Sequence, residues 1–125
     1  MSVVDFRVHH WGVSVPDLEA SIKWYGDFFG LTVENRMEIP PMHAKIAVLR
    51  RDDFRLELFE VEGAALLPED RKDPNKDLTI HGWKHISFGV TDARKTLDAL
   101  RAGGVEIAME TASLRSRARL AHDQA

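Results

Sequence analysis

The sequence predicts an α+β fold in which one strand–helix–strand unit is used twice. Segments that alternate apolar and polar residues are interleaved with segments of helical period. Both helical segments begin after an aspartate and stop at glycine. The stretch His10-Trp11-Gly12-Val13-Ser14-Val15-Pro16-Asp17-Leu18 can be laid on His85-Ile86-Ser87-Phe88-Gly89-Val90-Thr91-Asp92-Ala93 at an offset of about 75 residues, with His, Val and Asp coinciding. Further on, Gly30-Leu31-Thr32-Val33 lies over Gly104-Val105-Glu106-Ile107.

In the first copy, residues 6–15 alternate as a strand does. Pro16 disfavours helix before it, and Asp17 is a good N-cap. Leu18, Ile22, Tyr25 and Phe28 or Phe29 recur at helical spacing, and Gly30 suits the left-handed terminal position. Residues 31–38 read as a strand, Pro40-Pro41 breaks the chain, and residues 44–49 read as the next strand. Arg51-Asp52-Asp53 turns into a fourth strand over residues 54–61. This strand-helix-strand-strand-strand module occupies residues 1–62. The polar stretch that follows, residues 63–82, is expected to be a solvated connection, the alternative being a lid over a pocket. The second module takes residues 83–125. Residues 83–90 predict a strand and Asp92 caps a helix with Ala93, Leu97 and Leu100 on one face. Gly103-Gly104 stops that helix, and residues 105–109 predict a strand. Residues 111–125, with Arg115, Arg117 and Arg119, carry little strand patterning. The repeat would put the partner of the fourth strand past residue 125, so the second module is expected to be incomplete, its last strand not recognisable.

The 125 residues are 44% hydrophobic and 30% charged, which argues for a globular chain over a disordered one. Cysteine is absent, which excludes a disulfide scaffold, a thiolate metal site and a cysteine nucleophile. A net charge of −3 gives no reason to expect nucleic acid or an anionic membrane as a partner. No apolar run approaches the roughly 20 residues needed to span a bilayer. The first residues lack the basic-then-apolar order of a signal peptide, so a cytoplasmic location is expected. There is no phosphate-cradling glycine loop and no Gly-x-Ser-x-Gly elbow.

Strand parity selects the residues that could do chemistry. Trp11, Val13 and Val15 form an apolar set facing a helix, which leaves Val8, His10, Gly12 and Ser14 on the other face. Leu56 and Leu58 take the buried role, so Glu57 and Phe59 point away. Ile86, Phe88 and Val90 pack, so Trp83, His85 and Ser87 point away. His10, Glu57 and His85 thus fall on the non-helix face of three strands, and converge if that face curls into a trough. Two imidazoles and a carboxylate suit a divalent transition metal: nickel, cobalt, zinc, manganese or ferrous iron. Coordination positions remain for substrate oxygens. A strand histidine is ordinarily a half-buried polar residue and a strand glutamate ordinarily faces solvent; the repeat-equivalent placement of His10 and His85 and the matching parity of Glu57 bring ligation level with those ordinary roles. Ser14, Phe59, Trp83 and His43 are the candidates for substrate contact. His43 shares with Lys45 a face that looks into the trough or into solvent. His9 is expected on the helix side or at an edge. The aromatics Trp24, Tyr25, Phe28 and Phe29 read as core or subunit interface.

The stretch Val8-His9-His10-Trp11-Gly12-Val13-Ser14-Val15-Pro16-Asp17-Leu18-Glu19-Ala20-Ser21-Ile22-Lys23-Trp24-Tyr25, followed by Phe29-Gly30-Leu31, resembles the opening of vicinal oxygen chelate proteins. This is the superfamily of glyoxalase I, methylmalonyl-CoA epimerase, extradiol dioxygenases and bleomycin-resistance proteins. Leu56-Glu57-Leu58-Phe59 and Lys84-His85-Ile86-Ser87-Phe88 resemble its second and third metal-bearing strands. The resemblance implies paired βαβββ modules that form a cupped mixed sheet around one metal, helices outside, often in a homodimer. It implies His10, Glu57 and His85 as first-, fourth- and fifth-strand ligands, a pattern nearest glyoxalase I. Two features depart from that pattern. Ser14 stands where bacterial glyoxalase I has a glutathione-holding arginine. The family's last-strand glutamate ligand, after an Asp-Pro-x-Gly turn, has no recognisable counterpart.

These readings together imply a metal-dependent lyase or isomerase. Its small-molecule substrate would chelate the metal through adjacent oxygens, and the metal would stabilise an enediolate. Glu57 is the candidate that moves the proton. The alternatives are extradiol-type ferrous dioxygenase chemistry at the same residues and a non-catalytic, resistance-type binding protein. An anaerobic assay separates the first two: a dioxygenase stops without oxygen and an isomerase does not.

Overall fold

A computed structural model describes residues 2–109 and 119–120. The chain divides into two units between Ala65 and Leu66. The first runs β1 (Trp11–Ser14), α1 (Leu18–Phe29), β2 (Thr32–Ile39), a 3-10 turn at Pro40–Met42, β3 (Ala44–Arg51) and β4 (Phe54–Val61). This is the expected βαβββ order. The strands form one open mixed sheet in the order β1-β4-β3-β2, in which β1 runs parallel to β4 and the other neighbours are antiparallel.

Local chemistry sets the limits of α1. The Asp17 carboxylate accepts from the Ala20 N–H at 3.0 Å, and Gly30 closes the helix at φ 65° with its N–H donated to the Gly26 carbonyl. A second carboxylate, from β4, holds the same end: Glu60 Oε1 accepts from the Leu18 N–H at 2.9 Å. Arg36 of β2 donates both guanidinium arms to Glu19, and this holds the Glu19 carboxyl below its ordinary pKa. Beneath the helix lie Val15, Leu18, Leu31, Ala47, Leu49, Leu56 and Leu58, with Trp11, Val13, Ile22, Tyr25, Phe29 and Phe54 packed around them.

The first strand is shorter than its alternation suggests. Residues 6–10 are exposed and outside the ladder, which pairs Trp11 to Ser14 with Leu56 to Phe59. The β3–β4 turn falls at Asp52-Asp53 as expected, with Asp52 at φ 53°, a conformation its short side chain tolerates.

The second unit contains α2 (Glu69–Lys72), α3 (Pro74–Asp77), α4 (Ala93–Ala102), β5 (Ile107–Met109) and β6 (Arg119–Leu120). The expected solvated connection is more ordered than its polarity implied. Asp77 is fully buried, with Arg71 Nε donating to its Oδ1 at 2.6 Å. The Lys84 ammonium donates to the Asp77 carbonyl at 2.7 Å and to the Ile80 carbonyl. A buried carboxylate needs such partners, and these organise the two short helices. Asp92 caps α4 as expected, accepting from the Lys95 N–H at 3.0 Å, and Leu97 is the buried residue of that helix. The strand expected over residues 83–90 is not formed among the described residues: the segment joins no ladder, and Phe88 and Val90, expected to pack, are exposed. A strand needs a neighbour for its backbone groups, and the ladders among the described residues do not include this segment. β5 and β6 pair antiparallel, Ile107 opposite Leu120. The expectations for Arg115, Arg117 and the rest of residues 110–118 and 121–125 lie outside the described residues.

Leu58 is inaccessible to solvent, so Leu58→Ala is expected to lower stability by about 2–5 kcal/mol, measured by urea denaturation. Burial raises the Tyr25 phenol above its ordinary 10.0. The folded chain therefore holds that proton more tightly than the unfolded chain does. Stability is intact below about pH 10 and falls as pH rises through the folded value. Tyr25→Phe is expected to remove that share of the alkaline loss, read from denaturation midpoints at about pH 9 and about pH 11.

Candidate functional site

Two leucines decide which way the β4 side chains point. Leu56 and Leu58 are buried against the helix side, so Glu57 and Phe59 stand on the opposite, open face of the sheet. β1 obeys the same rule: Trp11 and Val13 pack into the core cluster while Gly12 and Ser14 are exposed. Parallel pairing then sets Gly12 beside Glu57 and Ser14 beside Phe59. On the other flank, Val48 of β3 lies opposite Glu57 and Ile46 opposite Phe59, giving the open face an apolar strip. A Cβ on Gly12 would sit 3.2 Å from Phe59 Cε2, so it is the missing side chain at Gly12 that leaves room for the phenyl ring.

His10 immediately precedes β1. Its Nε2 lies 3.8 Å from Glu57 Oε1; the His10 side chain is 43% exposed and that of Glu57 22%, so the pair is reachable yet partly sheltered. The other His10 ring nitrogen is engaged: His9 Nδ1 and His10 Nδ1 are 2.8 Å apart. His9, expected on the helix side or at an edge, is exposed and lies against His10. Beyond Glu57 along the same face, Arg55 Nε donates to Glu34 Oε2 at 2.9 Å, and Arg50 Nη1 stands 3.7 Å from Glu34 Oε1.

Within the first unit the structure thus brings together His10 with Glu57 and Ser14 with Phe59. His43 lies outside the strands: it ends the 3-10 turn at φ 50°, exposed, with Nδ1 3.7 Å from Glu62 Oε2. The trough-facing option for Lys45 is corrected. Lys45 pairs in register with Glu60 and its ammonium is 3.9 Å from the carboxylate that caps α1, so it belongs to the helix-bearing face. His85 and Trp83 belong to the second unit. Both are exposed, and the Trp83 carbonyl accepts from Arg71 Nη2 at 3.1 Å. Among the described residues no three His, Asp or Glu side chains form a group able to hold a metal ion. Glu60, Asp77 and His9 are the side chains whose roles the sequence did not disclose. For His9 the one available signal was adjacency to His10.

A sequence model of the Glyoxalase/Bleomycin resistance protein/Dioxygenase superfamily matches residues 7–116. The chain belongs to that superfamily. Among solved structures it is similar to the trypanothione-dependent glyoxalase I of Leishmania major, with 24% identity and a TM-score of 0.64 over 86% of this chain and 73% of that one. It is similar to a glyoxalase family protein of Enterococcus faecalis, with 19% identity and a TM-score of 0.67 over 80% of this chain and 74% of that one. It is also similar to a glyoxalase family protein of Bacillus cereus, with 19% identity and a TM-score of 0.66 over 90% and 83%. At these identities the likeness is one of fold. None of the curated proteins matches the chain. Among the described residues no helix is long and apolar enough to cross a membrane.

Because Phe59 occupies the space above Gly12, Gly12→Val is expected to displace the ring. The measurement is the Phe59 ring resonances by NMR; an unmoved ring would show that the close approach constrains nothing.

Proposed function

We propose that this chain is a metal-dependent lyase or isomerase of the glyoxalase-like kind, acting on a small molecule that carries adjacent oxygens. The observation behind the reading is the His10–Glu57 pair, whose Nε2 and Oε1 stand 3.8 Å apart on the open face. That gap is too long for a direct hydrogen bond. It is shorter than the roughly 4.2 Å that two donors, each about 2.1 Å from one ion, can span. An imidazole and a carboxylate form a donor set suited to nickel, cobalt, zinc, manganese or ferrous iron. His85, at the repeat-equivalent position of His10, is the proposed third ligand. When bound, such an ion supplies Lewis acidity to the substrate's oxygens.

The remaining work falls to the chain's own groups. Glu57 would accept the proton released from the carbon next to those oxygens, a role open to a partly sheltered carboxylate. His10 would hold Nε2 towards Glu57 while its Nδ1 is occupied by His9. Phe59, lying over Gly12, would exclude water from the reacting carbon. Ser14 offers a hydroxyl on the same face, and Trp83 and His43 complete the proposed substrate contacts. A homodimer is the proposed assembly.

Calorimetric titration with Co²⁺ or Ni²⁺ tests the reading. The wild-type chain is expected to bind one equivalent, and His85→Ala to bind at least tenfold more weakly. Glu57→Gln is expected to abolish turnover of 2-hydroxycarbonyl compounds or acyl thioesters while losing less in metal binding. A wild-type chain that takes up no ion sinks the reading, and unchanged turnover in Glu57→Gln removes the proton-transfer role.

A further inference from the structure

Successive side chains on a strand point to opposite faces, so adjacent histidines within a ladder cannot touch. His9 and His10 do touch, because both lie before β1 begins. Their rings meet edge-on at 85° with centroids 5.1 Å apart, and the contact is made by the two Nδ1 atoms at 2.8 Å. Two like nitrogens at that distance must share a single proton: one ring donates and the other accepts.

The two ways of placing that proton have different consequences. If His9 donates, His10 accepts on Nδ1 and carries its own proton on Nε2. That proton then faces Glu57 across 3.8 Å, beyond hydrogen-bond reach, and no lone pair is available to a cation. If His10 donates, its Nε2 presents a lone pair on the Glu57 side. His9 then accepts on Nδ1 and keeps its proton on Nε2, in an exposed ring that water can serve. Only the second arrangement makes His10 a donor atom facing Glu57.

We propose that His9 is a positioning residue: by accepting from His10 Nδ1–H it fixes the His10 tautomer and ring orientation that leave Nε2 free to ligate a divalent cation. The proposal rests on the metal reading of His10 and Glu57, and goes beyond it by assigning the outer partner of a ligand. Ligating imidazoles generally need such a partner on their second nitrogen, and its loss typically costs 10–100-fold in metal affinity.

Two substitutions separate the hydrogen bond from the bulk of the ring. His9→Asn places Oδ1 as many bonds from Cα as the histidine Nδ1, and so keeps an acceptor. His9→Phe keeps a ring and removes it. Nitrogen-15 NMR of the metal-free protein reads the tautomer directly, and calorimetry with Co²⁺ reads the affinity. The expected result is His10 protonated on Nδ1 in wild type and in His9→Asn, with Co²⁺ affinities within about threefold of each other. His9→Phe should show mixed His10 tautomers and bind Co²⁺ at least tenfold more weakly. A wild-type His10 protonated on Nε2, or a His9→Phe variant with tautomer and affinity unchanged, overturns the proposal. A wild-type His10 protonated on Nδ1 and scrambled in His9→Phe, in a chain that binds no Co²⁺, upholds the tautomer control by His9 and overturns both the metal reading and the ligand-positioning role built on it.

Discussion

The pairing of β1 with β4 in a single parallel register is the constraint on which the candidate site depends. It sets Gly12 beside Glu57 and Ser14 beside Phe59, and leaves His10 one step before the ladder with Glu57 within 3.8 Å of its Nε2. The register is held by what it buries. Leu56 and Leu58 are 3% and 0% exposed, and burying one such side chain is worth about 1.5–3 kcal/mol. A slip of one residue would turn both leucines to solvent and drive Glu57 into the layer beneath α1. Exposed ion pairs such as Lys23–Asp27 contribute about 0–1 kcal/mol and cannot compete with that. The acid is held on the open face by the apolar residues that flank it in sequence.

The helix that covers the core is tied to the same strands. α1 begins a few residues after β1, and its first turn is satisfied from within by Asp17 and from β4 by Glu60. Since Glu60 and Glu57 sit on one strand at opposite parity, β4 uses one carboxylate to anchor the helix and offers the other to the open face. In the second unit a comparable economy surrounds Asp77. Its buried carboxylate, with Arg71 and Lys84 as partners, fixes the backbone immediately before His85. Burying a lone carboxylate costs far more than burying a paired one, so the arrangement requires both cations to be in place.

Membership of the glyoxalase superfamily rests on the match over residues 7–116 and agrees with the βαβββ order of the first unit. A fold of this kind hosts several chemistries, and activity depends on the side chains it carries. In this chain the open face presents an imidazole with one nitrogen engaged by a neighbour and the other facing a carboxylate, and an aromatic ring lying over a glycine.

The residues of the first unit were legible because each of its elements is dictated locally. Asp17 and Gly30 bound a helix by capping chemistry, alternation assigns the faces of β1 and β4, and the opposed parity of Leu58 and Glu57 needs no knowledge of distant contacts. The remainder depended on partners far along the chain. Residues 83–90 alternate like a strand, yet a ladder requires a neighbour that sequence patterning cannot supply. Asp77 looked like one charge among many in a polar connection, because only the folded chain brings Arg71 and Lys84 to it. The meeting of His9 with His10 was hidden for the same reason. Period-two geometry forbids it within a strand, and only the tertiary pairing of β1 with β4, which starts at Trp11, leaves both histidines outside that rule.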